Sequence, residues 1–258
     1  MINLTYANFE RLKKSSALAL YLIAMLILAS AFMVMQATAM DYTVPLSRVV
    51  FLPLTFYGVA TATFISVFAG TDFSDGFIHN KLLLANSRNE IVISHLLVSC
   101  IACVFIYIVT TLYTLGIGSF FFENDIESDI FIQYFLLGIS MSIALGCFFN
   151  VITLLCSKKT SAIIWCMGIS FGMLFLSLHT NQLLVQPEYK NNIPNPHYID
   201  GFQRILYGIL HDLNPYGQIA QLTSWEIWNP MRAVVCNLFW ITGTTVIGCI
   251  LFHKKDIK

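Results

Sequence analysis

The chain has 258 residues, of which 57% are hydrophobic and only 11% are charged, and its formal net charge at neutral pH is zero. Soluble domains carry about 25% charged residues, so this composition excludes an ordinary water-soluble fold and predicts an all-α integral membrane protein. The charge is balanced and no basic run is long, so nucleic acid is not expected as a partner.

The chain begins with a short amphipathic segment. Four apolar residues recur there at helical spacing, with charged residues between and after them: Ile2, Tyr6, Phe9 and Leu12. This spacing predicts an N-terminal helix along the membrane surface, and the alternative is a loose polar leader. The apolar run that follows ends without a convincing cleavage site, so we expect it to remain as the first membrane span.

Six apolar stretches are long enough to cross the membrane as helices, which requires about 20 residues each. Their predicted bounds are residues 17–35, 49–69, 91–121, 130–156, 162–178 and 233–252. Lipid offers no partner to a free backbone amide, so all six should be helical, within a single transmembrane domain over residues 1–258. The seven cysteines lie in or beside these stretches, so no disulfide framework is predicted.

The distribution of lysine and arginine predicts the orientation of the spans. If the N-terminus is inside, ten of these residues fall in cytoplasmic segments and four fall outside. The positive-inside rule therefore predicts that both termini are cytoplasmic. No Asp, Glu, Lys or Arg lies within the predicted apolar core of a span, so a carrier driven by an ion gradient is not expected.

The segment between the second and third spans carries the most distinctive pattern. It runs Gly70-Thr-Asp-Phe-Ser-Asp-Gly-Phe-Ile-His-Asn-Lys-Leu-Leu-Leu-Ala-Asn-Ser-Arg88. This resembles the loop of ABC-2 type transporter permeases, which runs acidic-aromatic-x-x-Gly-Thr-Ile-Arg-Asn-Lys-Leu and then Gly-x-Ser-Arg. Nine positions match that pattern: Asp72, Phe73, Gly76, Ile78, Asn80, Lys81, Leu82, Ser87 and Arg88.

Three positions depart from the family pattern. Phe77 stands where Thr is usual, His79 where Arg is usual and Ala85 where Gly is usual. Gly76 can end the preceding helix, and residues 77–84 can then form a short helix parallel to the membrane. Such a helix would fit a groove of a separate ATPase and carry its movement to the spans. The alternative is a solvated loop.

The resemblance covers essentially the whole chain and implies the membrane-spanning subunit of an ATP-driven exporter. It implies a second permease subunit, identical or homologous, and two copies of an ABC ATPase that binds ATP and Mg²⁺. The chain has no phosphate-binding Gly-Lys motif, so it is expected to be neither an enzyme nor a holder of its own cofactor. The expected ATPase-coupling residues are Asp72, Phe73, Gly76, Phe77, Asn80, Lys81, Leu82, Leu83, Ser87 and Arg88.

The substrate is predicted less directly than the subunit type. Compact, Phe-rich permeases of this kind resemble exporters of amphipathic peptides in the cell membrane of Gram-positive bacteria. These include bacteriocin immunity pumps, which give antimicrobial peptide resistance, and the exporters of phenol-soluble modulins. In such exporters the path lies between two permeases, lined mainly by the second and fifth spans, in contact with membrane lipid. Export of drugs, lipids or glycans is the alternative within transport. A non-transporting scaffold or sensor is the alternative outside it.

The long outer segment between the fifth and sixth spans is predicted to contain two short helices. The first has an apolar face and ends at an Asn-Pro turn, and its expected outer-helix or gate residues are Ile205, Ile209, Leu213, Asn214 and Pro215. We expect this face to rest in the bilayer or on the spans. By the same interpretation, Ile209→Asp should impair the protein and Asp212→Asn should do little.

Two further patterns give weaker expectations. Histidines and aspartates of the outer segment match no metal-ligand spacing, so no metal site is predicted from His179, His197, Asp200, His211 and Asp212. Small residues share one face of the fourth and fifth spans: Gly138, Ser142 and Gly146, and Gly168 and Gly172. Such faces allow close helix packing, either within the chain or against a second subunit.

Overall fold

The computed structural model describes residues 2–40, 42–78, 81, 87–190 and 193–255. Ten α-helices are defined among them. They are α1 (Ile2–Lys13), α2 (Ser16–Ala39), α3 (Ser47–Val50), α4 (Tyr57–Ser74), α5 (Arg88–Gly118), α6 (Ser128–Leu155), α7 (Lys159–Leu184), α8 (Gly201–Leu213), α9 (Pro215–Ser224) and α10 (Pro230–Lys254). The only sheet in this part of the chain is a two-residue antiparallel pair, β1 (Tyr189–Lys190) with β2 (Ile193–Pro194).

Six segments are long and apolar enough to cross a membrane. They are α2, the continuous stretch Ser47–Ser74, α5, α6, α7 and α10, and each contains or overlaps one predicted span. The expectation of an all-α chain with about six helices able to cross a membrane is confirmed at this level. The third span ends earlier than predicted, because α5 stops at Gly118 and the chain turns through Phe121 and Phe122.

The second span is not one regular helix. It begins with α3, continues through a short 3₁₀ helix (Leu52–Phe56) and becomes regular in α4. Pro53 lies at the start of the 3₁₀ helix and has no N–H group to donate, which accounts for the interruption of α-helical hydrogen bonding. The predicted span over 49–69 is therefore in place, with a break in its first turns.

Three helices form the centre of the bundle. The most apolar stretches of the second span, α5 and α6 are 67%, 61% and 61% buried, whereas those of α2, α7 and α10 are 22%, 22% and 17% buried. In α6 the small-residue face packs inside the chain, because a Cβ at Gly138 would overlap the ring of Tyr107. In α7, by contrast, no described atom lies within 4 Å of a Cβ placed at Gly168 or Gly172. Intrachain packing is therefore confirmed for the first face and wrong for the second.

The predicted N-terminal helix is present as α1, and the apolar residues at its start are not the ones that it buries against the bundle. Ile2 and Tyr6 are 83% and 66% exposed. The residues buried on this helix are Leu4, Asn8 and Leu12, which repeat every four residues. Asn8 Nδ2 donates a hydrogen bond to Ser94 Oγ (3.1 Å), so α1 is fastened to α5 by a polar contact that the apolar pattern does not show.

Orientation is the part of the predicted topology that labelling can test directly. We expect Glu127→Cys to react with a membrane-impermeant thiol reagent in intact cells, since the exposed Glu127 lies in the predicted outer turn. Lys14→Cys, exposed after α1, should react only after permeabilisation. The measured quantity is the amount of labelled protein above the background given by the unmodified chain. Labelling of Lys14→Cys in intact cells would reverse the orientation.

Candidate functional site

A buried carboxylate, Asp72, lies in the last turn of α4 and is completely enclosed by the protein. Its Oδ1 forms an ion pair with the guanidinium of Arg11, and its Oδ2 accepts a hydrogen bond from Lys81 Nζ (2.5 Å). His95 Nε2 lies 2.6 Å from the same Oδ2 and 2.9 Å from Lys81 Nζ. We call these four residues, Arg11, Asp72, Lys81 and His95, the Asp72 cluster.

The Asp72 cluster joins parts of the chain that are far apart in sequence. Arg11 comes from α1, Asp72 from α4 and His95 from α5, while Lys81 comes from the segment between α4 and α5. Arg11 is held a second time, since its Nη2 donates to the Phe68 carbonyl oxygen (2.7 Å) and its guanidinium lies over the Phe68 ring (4.3 Å to the centroid). Three helices and one connecting segment are therefore fixed at one point.

Burial of these charges is costly, and only mutual pairing makes it tolerable. Burial lowers the pKa of Arg11 to about 10, so its guanidinium still carries a charge at neutral pH. Asp72 supplies the anion opposite it. Burial and the nearby charge of Arg11 lower the pKa of Lys81 to about 6, so Lys81 acts mainly as a hydrogen-bond donor to the carboxylate. If Asp72 were removed, a charge would be left inside the protein without compensation, which is a much larger penalty than losing an exposed ion pair.

Only some of the predicted coupling residues fall within the described part of the chain. Asn80, Leu82 and Leu83 lie outside it. Gly76 has φ +71°, a left-handed conformation that glycine adopts without strain, and α4 ends two residues before it at Ser74. The expectation that the helix ends at this glycine is thus confirmed. Phe77 follows with 46% of its surface exposed.

The remaining coupling residues brace the ends of other helices. Ser87 Oγ accepts a hydrogen bond from the Glu90 backbone N–H (3.4 Å) at the start of α5. Arg88 Nη1 donates to the carbonyl oxygen of Lys255 (2.6 Å), just beyond α10. Lys255 Nζ in turn lies over the ring of Phe73 (4.1 Å) and donates to the carbonyl oxygen of Cys156 (2.7 Å), at the end of α6.

Sequence reasoning misses two members of the Asp72 cluster as site residues. In the sequence Arg11 is only one of the charges that mark the cytoplasmic side, and His95 is only a histidine near the edge of a span. No spacing rule connects them, because they belong to different helices and meet only through tertiary packing. Within the cluster, the sequence pattern does single out Asp72 and Lys81, and the structure brings these two into direct contact.

A second buried carboxylate, Asp212, lies near the end of α8 and is also fully buried. It accepts hydrogen bonds from Gln221 Nε2 (2.6 Å) and from Arg232 Nε. Gln218 Nε2 donates to the Asp212 backbone carbonyl (2.8 Å), and Asn237 Nδ2 donates to Gln218 Oε1 (2.9 Å). We call Asp212, Gln218, Gln221, Arg232 and Asn237 the Asp212 network. It fastens α8 and α9 to the start of α10.

His211 lies beside this network. Burial lowers the pKa of its imidazole, so the ring is neutral at neutral pH, and its Nδ1 lies 3.1 Å from Gln221 Nε2. The Trp228 ring packs against it with centroids 4.9 Å apart. The expectation that Asp212→Asn does little assumes a solvated side chain, and that assumption is wrong, because the carboxylate is enclosed and accepts from an arginine and a glutamine.

The predicted outer helices are present as α8 and α9. Asn214 joins them: its Oδ1 accepts from the Tyr216 N–H (3.1 Å) and its Nδ2 donates to the Met173 carbonyl oxygen (2.7 Å). Pro215 begins α9, where its missing N–H costs nothing. The apolar face of α8 does not pack on the described spans. Its exposed residues include Ile205 (59%) and Ile209 (44%), while Leu213 is half-buried.

Comparison with known proteins adds no relative. No protein-family model matches the chain, and no curated protein matches it either. Among the described residues, no group of three or more His, Cys, Asp or Glu side chains is placed to hold a metal ion. The six spanning helices and the two buried carboxylate sites are therefore the observations from which a function can be inferred.

Proposed function

We propose that this chain is the permease subunit of an ATP-driven exporter of the ABC-2 type, in which the Asp72 cluster anchors the segment that receives movement from a partner ATPase. The observation that supports this most is the contact between Asp72 and Lys81, which ties the connecting segment to α4 and α5. A loop that merely links two spans needs no buried carboxylate with three ionisable partners. Burying these groups is costly, which indicates that the segment between α4 and α5 is held in one defined position.

The exposed side chain of Phe77 supplies the surface for the ATPase. It directly follows the turn at Gly76, with 46% of its surface exposed. An ATPase groove that closes on this aromatic side chain would displace the connecting segment, and Lys81 would carry the displacement to Asp72. A contact to a buried carboxylate transmits such movement better than a solvated loop, because separating Lys81 from Asp72 removes a hydrogen bond to a carboxylate inside the protein.

A movement of α4 would be passed on to α7, the fifth span, which is proposed to line the substrate path. A Cβ at Gly70, near the end of α4, would lie 3.3 Å from Lys159 Cα at the start of α7, so the two helices are in close contact there. The exposed face of α7 carries large aromatic side chains, among them Trp165 (60% exposed) and Phe175 (66% exposed). Paired with a second permease subunit, such a face suits an amphipathic peptide better than a strongly polar sugar chain.

The cell membrane of a bacterium is the proposed location, with both termini in the cytoplasm and the Asp72 cluster on that side. Two copies of the ATPase would bind the permease pair and hold ATP and Mg²⁺. A drug, lipid or glycan exporter would use the same coupling segment with a different lining. A scaffold or sensor would have no need of an ATPase at Phe77.

The test is co-purification with an ATPase, sought first among the proteins encoded beside this chain. We expect Phe77→Asp to lower the amount of ATPase retained at least about tenfold, since a charge at a packed apolar contact costs more than about 1 kcal/mol. Phe120→Asp is the matched control, because Phe120 is 81% exposed just beyond the opposite end of α5.

The unfolding temperature of Phe77→Asp should equal that of the unmodified chain, because the side chain is already half-exposed. Hydrolysis by the unmodified complex should rise when amphipathic peptides are added, and it should not rise with lipid-linked glycans. Full retention of the ATPase by Phe77→Asp would contradict the coupling role, and absence of any ATPase partner would contradict the exporter itself.

A further inference from the structure

A pocket of about 530 Å³ lies between the end of α7, α8 and the start of α10. Its lining combines apolar and charged side chains. The apolar ones include Leu184, Val185 and Ile205, and the charged ones are Arg204, Glu226 and Arg232. A cavity with both kinds of lining accepts a molecule that has a charged group and a hydrocarbon portion.

Arg204 is held in place within this pocket. Its Nη2 donates a hydrogen bond to the carbonyl oxygen of Leu184 (3.1 Å), in the last turn of α7. Its guanidinium carbon lies 4.9 Å from the centre of the Tyr198 ring. These contacts fix the plane of the guanidinium without supplying a carboxylate, so its positive charge remains available to a ligand.

Arg232 is held by a different set of contacts. Its Nε donates to the buried Asp212, whose other oxygen accepts from Gln221. The lack of a side chain at Gly208 leaves room beside Arg232, since a Cβ there would lie 3.7 Å from Nη2. Within the part of the chain that the structure describes, no hydrogen bond from either terminal nitrogen of Arg232 is found. The Asp212 network thus positions this guanidinium with its outer edge free.

The depth of the pocket indicates what reaches it. Leu184 is the last residue of α7 and α10 begins at Pro230, so the pocket lies at the ends of two helices that are long and apolar enough to cross a membrane. In a bilayer, the ends of such helices lie near the phospholipid headgroups. The apolar part of the lining continues through Ile205 onto the exposed apolar face of α8, where Phe202 is 76% exposed. Hydrocarbon chains therefore have a continuous surface leading into the pocket.

We propose that this pocket binds the phosphate headgroup of an anionic membrane phospholipid. Among the described residues Arg204 is paired with no carboxylate, and Arg232 pairs with Asp212 through Nε alone, so both guanidiniums can still donate to a phosphate beside the one lining carboxylate, Glu226. Arginine side chains present paired N–H groups that match phosphate oxygens, and bonds of this charge-assisted kind are stronger than neutral ones. The acyl chains would lie along Ile205 and Leu184. This proposal does not depend on a partner ATPase.

The test uses the purified full-length chain in detergent, with three probes. They are phosphatidylglycerol, phosphatidylcholine with the same acyl chains, and inorganic phosphate, and the readouts are the apparent Kd and the rise in unfolding temperature. We expect Arg204→Gln to weaken binding of phosphatidylglycerol about tenfold, because one charge-assisted contact is lost. Lys190→Gln, at an exposed cation that does not line the pocket, should leave the Kd unchanged.

A second variant keeps the proposal testable if Arg204→Gln perturbs the end of α7. Glu226→Gln removes the exposed carboxylate of the lining and should tighten binding of phosphatidylglycerol several-fold, through loss of like-charge repulsion. Equal Kd values for the two lipids would overturn the proposal. So would equal losses in Arg204→Gln and Lys190→Gln, or an equal rise in unfolding temperature with inorganic phosphate, which would indicate a site for free anions.

Discussion

Replacing Asp72 with asparagine is expected to cost about 3–5 kcal/mol of stability, because the ion pair is buried and its partners stay behind. The amide would keep the shape of the side chain but would leave the Arg11 guanidinium without its anion. Lys81 would lose its charged acceptor as well. The measurement is thermal unfolding of the purified chain in detergent, together with the amount of ATPase retained by the surviving folded protein.

Asp75→Asn is the matched control for this change. Asp75 lies three residues further along, is exposed, and accepts a hydrogen bond from the neighbouring Ser74. We expect its effect on stability to stay within that of a surface substitution, which is about 0.5 kcal/mol. The double variant Arg11→Gln with Asp72→Asn should recover part of the loss, since the uncompensated cation is removed. If Asp72→Asn were as stable as Asp75→Asn, the cluster would not be a structural anchor.

Replacing Asp212 with asparagine should have the second largest effect. The amide would still accept from Gln221, but Arg232 would lose the charge that it pairs with. Arg232 is partly exposed (35%), so solvent offsets some of this loss, and we expect about 2–3 kcal/mol. Because the Asp212 network fastens α8 to α10, limited proteolysis of the segment between α7 and α10 should also become faster.

The control is Asp200→Asn, at an exposed aspartate just before α8 whose side chain does not cap the helix. It removes the same charge from the same segment without touching the network. We expect its unfolding temperature and its rate of proteolysis to match those of the unmodified chain. Equal effects of the two substitutions would show that the segment responds to net charge and not to the buried contact.

The connecting segment between α4 and α5 shows where sequence patterns reach their limit. The motif identifies Asp72 and Lys81 as candidate site residues and Gly76 as the end of the helix, because charged residues are rare in this apolar sequence and glycine can end a helix. The motif does not indicate that the Lys81 side chain is buried against Asp72. A lysine on the loop side of a span satisfies the positive-inside rule whether it is solvated or paired. The meeting of Asp72 from α4 with Arg11 from α1 and His95 from α5 is what distinguishes these states.

Local patterns are sufficient to show that the chain is helical and crosses a membrane about six times, because an apolar stretch must satisfy its backbone hydrogen bonds internally in lipid. They also locate both short helices after α7, from one apolar face and one Asn-Pro turn. Which face of α1 is buried depends on the packed bundle, as do the meetings of Arg11 with Asp72 and of Arg232 with Asp212. Hydropathy indicates whether a stretch of residues favours lipid or water. The pairing of buried charges depends instead on which helices contact each other, and those contacts are a property of the whole fold.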